Sequence, residues 1–231
     1  GADLIKTQIF SVKNLKPGPW DNDGRREIYL KSELTDKKFK VLFDYAKKLK
    51  IDFFASALNK DGVDILRKYQ TKYIKIASAE SRNYDLIKYA SKYFKNIIIS
   101  TGATKYSEII KLFKININKS KIILLHCNSS YPCNYKKLNL PRIDKLKKLS
   151  KKVGFSDHSA GIYGSVLALK YNPIFIEKHF TIDQKLPGRD NALAILPSDL
   201  KNLKNFILIS KDVNKDLGKN YQKEESGQEK S

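Results

Sequence analysis

Seven short apolar runs, rich in β-branched residues, recur along this sequence at residues 4–9, 52–55, 73–77, 96–100, 121–126, 153–155 and 174–177. Their nearly continuous apolar character is that of strands buried on both faces, as in parallel sheets. Between and after them lie amphipathic stretches at 35–50, 61–69, 83–94, 107–113, 140–150, 161–170 and 198–212. In the first of these, Phe39, Leu42, Phe43, Ala46 and Leu49 fall at helical spacing. Such alternation predicts a parallel sheet with helices outside it. Seven units are one short of an eight-stranded barrel, and the chain starts inside a strand. The expected fold is therefore α/β, a (β/α)8 TIM barrel whose first strand and helix lie upstream of Gly1. An open doubly wound sheet is disfavoured, because no G-x-G-x-x-G turn follows the first visible strand.

The 231 residues suffice for one domain of barrel size, and a hydrophobic fraction of 41% is ordinary for a soluble globular protein. No apolar run approaches the roughly 18 residues of a membrane-spanning helix. The chain has no Met and no charged-then-apolar leader, so it reads as part of a longer protein. Two cysteines, Cys127 and Cys133, offer no disulfide framework and fit a reducing cytoplasm. The net charge of +21 comes from lysines spread along predicted helix faces, such as Lys47-Lys48 and Lys147-Lys148. That distribution reads as solvated helix faces, with no nucleic acid or membrane partner. The polar stretch 218–231 reads as a linker or frayed end, leaving 1–217 as the barrel domain.

In a barrel of parallel strands the chemistry collects at the C-terminal strand ends. Polar residues gather at every one: Lys6-Thr7-Gln8, Ala55-Ser56, Lys75 through Glu80, Ser100-Thr101-Gly102, His126 through Tyr131, Ser156-Asp157-His158, and Glu177-Lys178-His179. All three histidines lie there. His158 and His179 end successive strands, and as neutral imidazoles they are a candidate pair for a divalent metal, with Asp157, Glu177 or water completing the shell. Lys6, Lys75 and Lys178 fall within or just after apolar runs, where a cation needs a counter-charge. That counter-charge is either a bound phosphate or carboxylate, cradled with hydroxyls from Ser56, Ser78, Ser100 and Thr101, or a glutamate of the barrel wall. Which face of each strand looks inward is not readable from near-continuous apolar runs. A Schiff-base lysine is disfavoured, since one electrophile suffices to activate a carbonyl.

The strings Gly-Ala-Asp-Leu-Ile-Lys-Thr-Gln (1–8), Lys-Ile-Ala-Ser-Ala-Glu (75–80), Ser-Thr-Gly (100–102), Leu-Leu-His-Cys (124–127) with Tyr131-Pro132, Gly-Phe-Ser-Asp-His-Ser (154–159), Glu-Lys-His-Phe-Thr (177–181) and Pro-Gly-Arg-Asp (187–190) resemble the N-acetylneuraminate (sialic acid) synthase family. That family includes legionaminic and pseudaminic acid synthases and spore-coat polysaccharide proteins. The resemblance implies a TIM barrel followed by a small antifreeze-like domain, absent here. It implies condensation of phosphoenolpyruvate with an N-acetylated hexosamine such as N-acetylmannosamine, in the cytoplasm, by a protein that is a homodimer at full length. It implies a divalent metal, Mn2+ or Mg2+, on His158 and His179. Carried over by motif, Lys6, Ser56, Lys75, Ser78, Ser100, Tyr131 and Ser156 contact phosphoenolpyruvate. Gln8, Glu80, Tyr131 and Asp190 face the sugar, and Glu80, Lys75 and Lys6 form the catalytic set. Glu80 is the candidate for proton transfer.

The sequence departs from the family at two places. Ala55-Ser56-Ala57-Leu58 stands where Ser-Thr-Pro-Phe is frequent, and Ser129 where some members carry Asn. Two other readings compete. One is a different metal-dependent phosphoenolpyruvate aldol-type synthase acting on a phosphorylated sugar, which requires a second basic cluster at the mouth; none stands out in the sequence. The other is a catalytically incomplete basic binding module, which requires basic residues interleaved with exposed aromatics; the 13 tyrosines are instead scattered.

Overall fold

The computed structural model describes residues 1–15, 17–188, 190–220 and 222–225. Arg189 of the Pro-Gly-Arg-Asp string, and Tyr221 and 226–231 of the polar tail, lie outside the described residues. Seven strands form one sheet: β1 (Leu4–Ile9), β2 (Asp52–Ala57), β3 (Ile74–Ile76), β4 (Ile97–Ser100), β5 (Ile122–His126), β6 (Val153–Asp157) and β7 (Ile176–Lys178). They pair in sequence order and all in parallel. Each falls on one of the seven apolar runs.

Among the described residues eight α-helices accompany them: α1 (Arg25–Ser32), α2 (Asp36–Lys48), α3 (Lys60–Lys68), α4 (Tyr84–Tyr93), α5 (Tyr106–Leu112), α6 (Arg142–Lys147), α7 (Tyr163–Ala168) and α8 (Pro197–Val213). Side chains cap three of them at the N-terminus: Thr35 accepts from Lys38 N, Asn59 from Gly62 N and Asn83 from Leu86 N. The sequence reading did not anticipate α1. Its apolar residues Ile28, Tyr29 and Leu30 are consecutive and none of its residues is buried, so no helical stripe exists to be read. Trp20 and Phe10 against Tyr29 hold it in place, with ring centroids 5.6 and 6.0 Å away.

Alternation along the strands builds two separate apolar layers. Ala55, Ile74, Ile76, Ile97, Ile99, Ile122, Leu124, Val153 and Phe155 belong to the large core beneath the helices. Residues of opposite parity, Phe54, Ile98, Ile123 and Leu125 with Leu4, Tyr73 and Phe175, form a second, smaller cluster. The Tyr73 and Phe175 rings meet at 5.8 Å, although β3 and β7 are four strands apart in the sheet. Strands in a flat sheet are about 4.8 Å apart, so four intervals would separate these two by about 19 Å. The sheet is therefore curled, with the second cluster on its concave face. Within the sheet, β1 and β7 are not paired with each other. Their edges are the least buried of the strands, Ile5 being 41% exposed. α8 reaches back toward β1 through Lys204 and Asp3, 2.7 Å apart. Lys47 and Lys48 are exposed, as solvated helix faces require. No helix among the described residues is long and apolar enough to cross a membrane.

Candidate active site

At the C-terminal end of the concave face the apolar layer gives way to polar side chains of the same parity: Lys6, Ser56, Lys75, Ser100, Ser156 and Glu177. The strand register aligns Gln8 with Ser56, Ser56 with Lys75, and Ser156 with Glu177. Glu177 is the hub. Lys75 Nζ donates to both of its carboxylate oxygens, at 2.8 and 2.9 Å. Lys6 Nζ stands 3.3 Å from Oε2, and Ser156 Oγ donates to Oε1 at 2.8 Å. Lys75 is 3% exposed, so its charge is tolerated only because this carboxylate meets it. Burial pushes the Glu177 carboxyl upward, but the Lys6 and Lys75 ammoniums outweigh that and hold it below the usual carboxylate range. Burial draws Lys75 downward against the opposing pull of Glu177. The counter-charge of Lys6 and Lys75 is thus a glutamate of the sheet itself, one of the two alternatives the sequence left open.

The two histidines stand beside this cluster with ring centroids 5.6 Å apart. His158 Nδ1 is 2.6 Å from the Asn128 carbonyl oxygen. A carbonyl only accepts, so Nδ1 carries the proton and Nε2 is the bare nitrogen. Ser156 Oγ lies 3.3 Å from that Nε2 and closer to Glu177, its hydroxyl proton going to the carboxylate. Burial lowers the pKa of His158, and lowers that of His179 to about 4, so both rings are neutral near pH 7. Two imidazoles sharing one divalent cation, with nitrogens about 2.1 Å from it, keep their centroids within about 6.5 Å. The observed spacing and the free Nε2 of His158 therefore fit a shared cation. Among the described residues no group of three or more His, Cys, Asp or Glu side chains forms a metal cluster.

Three expectations are corrected here. Asp157 cannot complete a shell around these histidines: it has the opposite strand parity, is fully buried, and accepts from Ser159 N, Ser159 Oγ and Ser165 Oγ. Lys178, for which a bound anion was one of the two alternatives, has a carboxylate as its counter-charge. It pairs with Asp157 at 3.1 Å and donates to the Ser159 carbonyl behind the sheet. Glu177 is committed to the lysines and not to the histidines.

Tyr131 covers the histidines, its ring centroid 4.2 Å from His158 and 6.1 Å from His179. Asp190 lies 4.0 Å from His179 Nε2. Glu80 follows β3, and its carboxylate accepts from Asn83 Nδ2 at 2.8 Å. Among the described residues no hydrogen bond or ion pair joins Glu80 to the lysine cluster. The sequence reading passed over Asn83, whose placement three residues past Glu80 at a helix start was its only signal.

Side chains of three loops close tightly on Gly102. Its N–H donates to Ser78 Oγ at 3.2 Å, and Ser78 Oγ in turn contacts Cys127 Sγ at 3.2 Å. A Cβ on Gly102 would meet Ser129 Oγ, and would come within 2.8 Å of both Cys127 Sγ and Ser78 Oγ. Only glycine fits between these side chains. His126, the third strand-end histidine, joins none of this. It has the outward parity of β5, contacts the Leu138 carbonyl through Nε2 at 2.7 Å, and stacks on Phe155 at 5.7 Å.

A convergent set of cations, hydroxyls and paired imidazoles at one end of a curled parallel sheet can bind an anion beside a Lewis acid, and known proteins share the arrangement's scaffold. A sialic acid synthetase from Leptospira borgpetersenii, solved with citrate, superposes over 98% of this chain and 79% of its own with a TM-score of 0.85 at 30% identity. An N,N'-diacetyllegionaminic acid synthase of Campylobacter jejuni is 33% identical over the whole chain and 73% of its own length. An uncharacterized protein of Methanocaldococcus jannaschii is 37% identical over 94% of the chain, which spans 64% of that protein's length. A NeuB family model matches residues 1–221. With fold, motifs and these relatives in agreement over nearly the whole sequence, the chain belongs to the NeuB family.

Proposed function

We propose that this chain is the barrel of an enzyme that condenses phosphoenolpyruvate with an N-acetylated hexosamine, N-acetylmannosamine or a related amino sugar, to give a sialic-acid-type nonulosonic acid and phosphate. The observation that carries the reading is the convergence of Lys6, Lys75 and Ser156 on one carboxylate beside the His158–His179 pair. An anionic three-carbon substrate finds there two ammoniums, with hydroxyls at Ser56, Ser78 and Ser100 along the same wall. Lys75, clamped by both oxygens of Glu177, is the fixed cation. Lys6, held by one longer contact, is the one free to turn toward the substrate carboxylate or phosphate.

His158 and His179 would hold Mn2+ or Mg2+, which when bound acts as a Lewis acid toward the aldehyde of the open-chain sugar. Tyr131 packs on these rings and shields the side where the sugar would lie, with Gln8, Asp190 and Glu80 offering hydrogen bonds to it. The enol carbon of phosphoenolpyruvate forms the new bond to the aldehyde carbon, and the former aldehyde oxygen takes up a proton. Water adds to the resulting cationic carbon, and the C–O bond to phosphate breaks. Lys6 and Lys75 hold anionic charge throughout, and alignment of the two substrates supplies much of the rate. Glu80, whose carboxylate accepts from Asn83, is the candidate for proton transfer at the sugar.

The same reading takes the gap between β1 and β7 as the place of an eighth strand that completes a (β/α)8 barrel. It takes 1–217 as that barrel, with 218–231 leading to an antifreeze-like domain. It places the protein in the cytoplasm, as a homodimer at full length, without nucleic acid or membrane partners. The test is calorimetric titration of phosphoenolpyruvate with and without Mn2+, on the wild type and a folded His158→Ala, His179→Ala variant. Binding that depends on Mn2+ in the wild type alone supports the reading, and a sugar panel with phosphate release then identifies the acceptor. Absence of binding by both this chain and one extended upstream of Gly1 sinks it.

A further inference from the structure

The loop that follows β5 is fastened to the residues that follow β6, and His158 lies between them. Cys133 N donates to the His158 main-chain carbonyl at 2.8 Å. The Tyr135 hydroxyl donates to the Ala160 carbonyl at 2.6 Å. A third contact reaches the imidazole itself, where Nδ1 donates to the Asn128 carbonyl at 2.6 Å. The first two hold main chain. The third sets which ring nitrogen carries the proton.

The carbonyl in that third contact is aimed by the side chain of its own residue. Asn128 Oδ1 accepts from Ser130 N at 2.9 Å, closing a tight turn, and Asn128 Nδ2 donates to the Lys137 carbonyl at 2.9 Å. The first bond fixes the backbone just after Asn128, and the second ties it to the far end of the loop. Asparagine carries an acceptor and a donor on one short side chain; an ionised aspartate lacks the donor, and alanine lacks both. These bonds go to loop backbone and not to the Lys6, Lys75 and Glu177 cluster, so substrate chemistry does not account for them. The state of the His158 ring does. The neutral imidazole of an unrestrained histidine in water favours the proton on Nε2. On His158 that proton would cap the nitrogen beside Ser156, on the side of the reaction cluster.

We propose that Asn128 is the positioning residue of His158: its side chain sets the loop so that its carbonyl keeps the proton on Nδ1 and leaves Nε2 bare for a divalent cation. The cation rests on the reading of the function given above; the tautomer stands on the hydrogen bonds alone. Outer partners of metal-binding histidines typically change metal affinity by about 10–100-fold, and the lower end applies here because a variant of Asn128 still has a main-chain carbonyl.

The test is nitrogen NMR of the metal-free chain at about pH 8, above the usual histidine pKa of about 6.5, together with calorimetric titration of Mn2+. The chain has three histidines, and the His158 signals are those lost in His158→Ala. The proteins compared are the wild type, Asn128→Ala, Asn128→Ser, which keeps an acceptor for Ser130 N, and Tyr135→Phe, which loosens the same loop without touching the ring bond. Asn128 is only half-buried, so its variants keep the fold. The expected result is a wild-type His158 protonated on Nδ1, a proton moved toward Nε2 in Asn128→Ala, and an Mn2+ Kd raised about tenfold in Asn128→Ala and less in Asn128→Ser. Tyr135→Phe should keep the wild-type tautomer and an Mn2+ Kd within about twofold of wild type, whatever Tm it loses. A His158 that stays protonated on Nδ1 in Asn128→Ala overturns the proposal. So does an Mn2+ Kd that Asn128→Ala leaves unchanged, or that Tyr135→Phe raises equally. A wild type that binds no Mn2+ overturns the metal reading instead, and the tautomer comparison then decides by itself whether Asn128 sets the His158 ring.

Discussion

Replacing Glu177 by Gln keeps the shape of the hub side chain and removes its charge. In the wild type this carboxylate accepts from Lys75 twice and from Ser156 once, and neutralises a lysine that is 3% exposed. Removing one partner of a buried ion pair costs about 3–5 kcal/mol. The lower end applies, because the Lys6 and Glu177 side chains keep 22% and 20% of their surface in water and the Gln amide oxygen still accepts one bond. A loss of about 3 kcal/mol lowers the Tm of a domain this size by about 6–12 °C.

The pH dependence carries the reasoning further. Burial already depresses Lys75 below its usual value, and Glu177 is the largest influence opposing that. A lysine with a folded pKa below its unfolded one binds fewer protons folded than unfolded in the window between the two, so stability rises with pH there. Without Glu177 the lower edge of that window moves down. Glu177 itself has a depressed folded pKa, so its contribution is present above the usual carboxylate pKa and is lost as pH falls through the folded value. The gap between wild type and Glu177→Gln should therefore be widest near neutrality and narrow on both sides. Urea unfolding of both proteins at about pH 3, 7 and 9.5 measures it. A gap under about 1 kcal/mol at pH 7, or one that does not change with pH, refutes the argument that Lys75 is held charged by Glu177.

Two substitutions probe Gly102 and Asn83. Gly102→Ala places a methyl group against Ser129, Cys127 and Ser78, which must shift, and should weaken phosphoenolpyruvate binding by about tenfold or more in calorimetry; unchanged affinity would remove these side chains from the substrate site. Asn83→Ala removes both the α4 cap and the bond to Glu80, so it should cost about 1 kcal/mol of stability and raise KM for the sugar more than KM for phosphoenolpyruvate. An equal rise in both constants would mean that Glu80 does not serve the sugar.

Much of this architecture was legible before any coordinates. The seven apolar runs became the seven strands because nearly continuous β-branched segments buried on both faces have few other stable arrangements. The strand-end positions of His158, His179, Lys6 and Lys75 followed from the same reading. What it missed has identifiable causes. α1 carries no buried stripe, so periodicity gave no sign of it. Asn83 acts by reaching backwards from a helix cap, a role shared by many caps without functional partners.

The partners of the strand-end charges were beyond the sequence altogether. Ser156-Asp157-His158 and Glu177-Lys178-His179 each hold three polar residues in a row, and composition does not separate them. Strand parity, set by which face the sheet curls around, sends Asp157 and Lys178 to one another behind the sheet and Glu177 to Lys6 and Lys75 in front. Local chemistry thus determined the strands, the helices and the polar ends. The curl brought Lys75 and Glu177 together across 102 residues, because only bending the sheet toward a common axis places strands four apart within reach of one hydrogen bond.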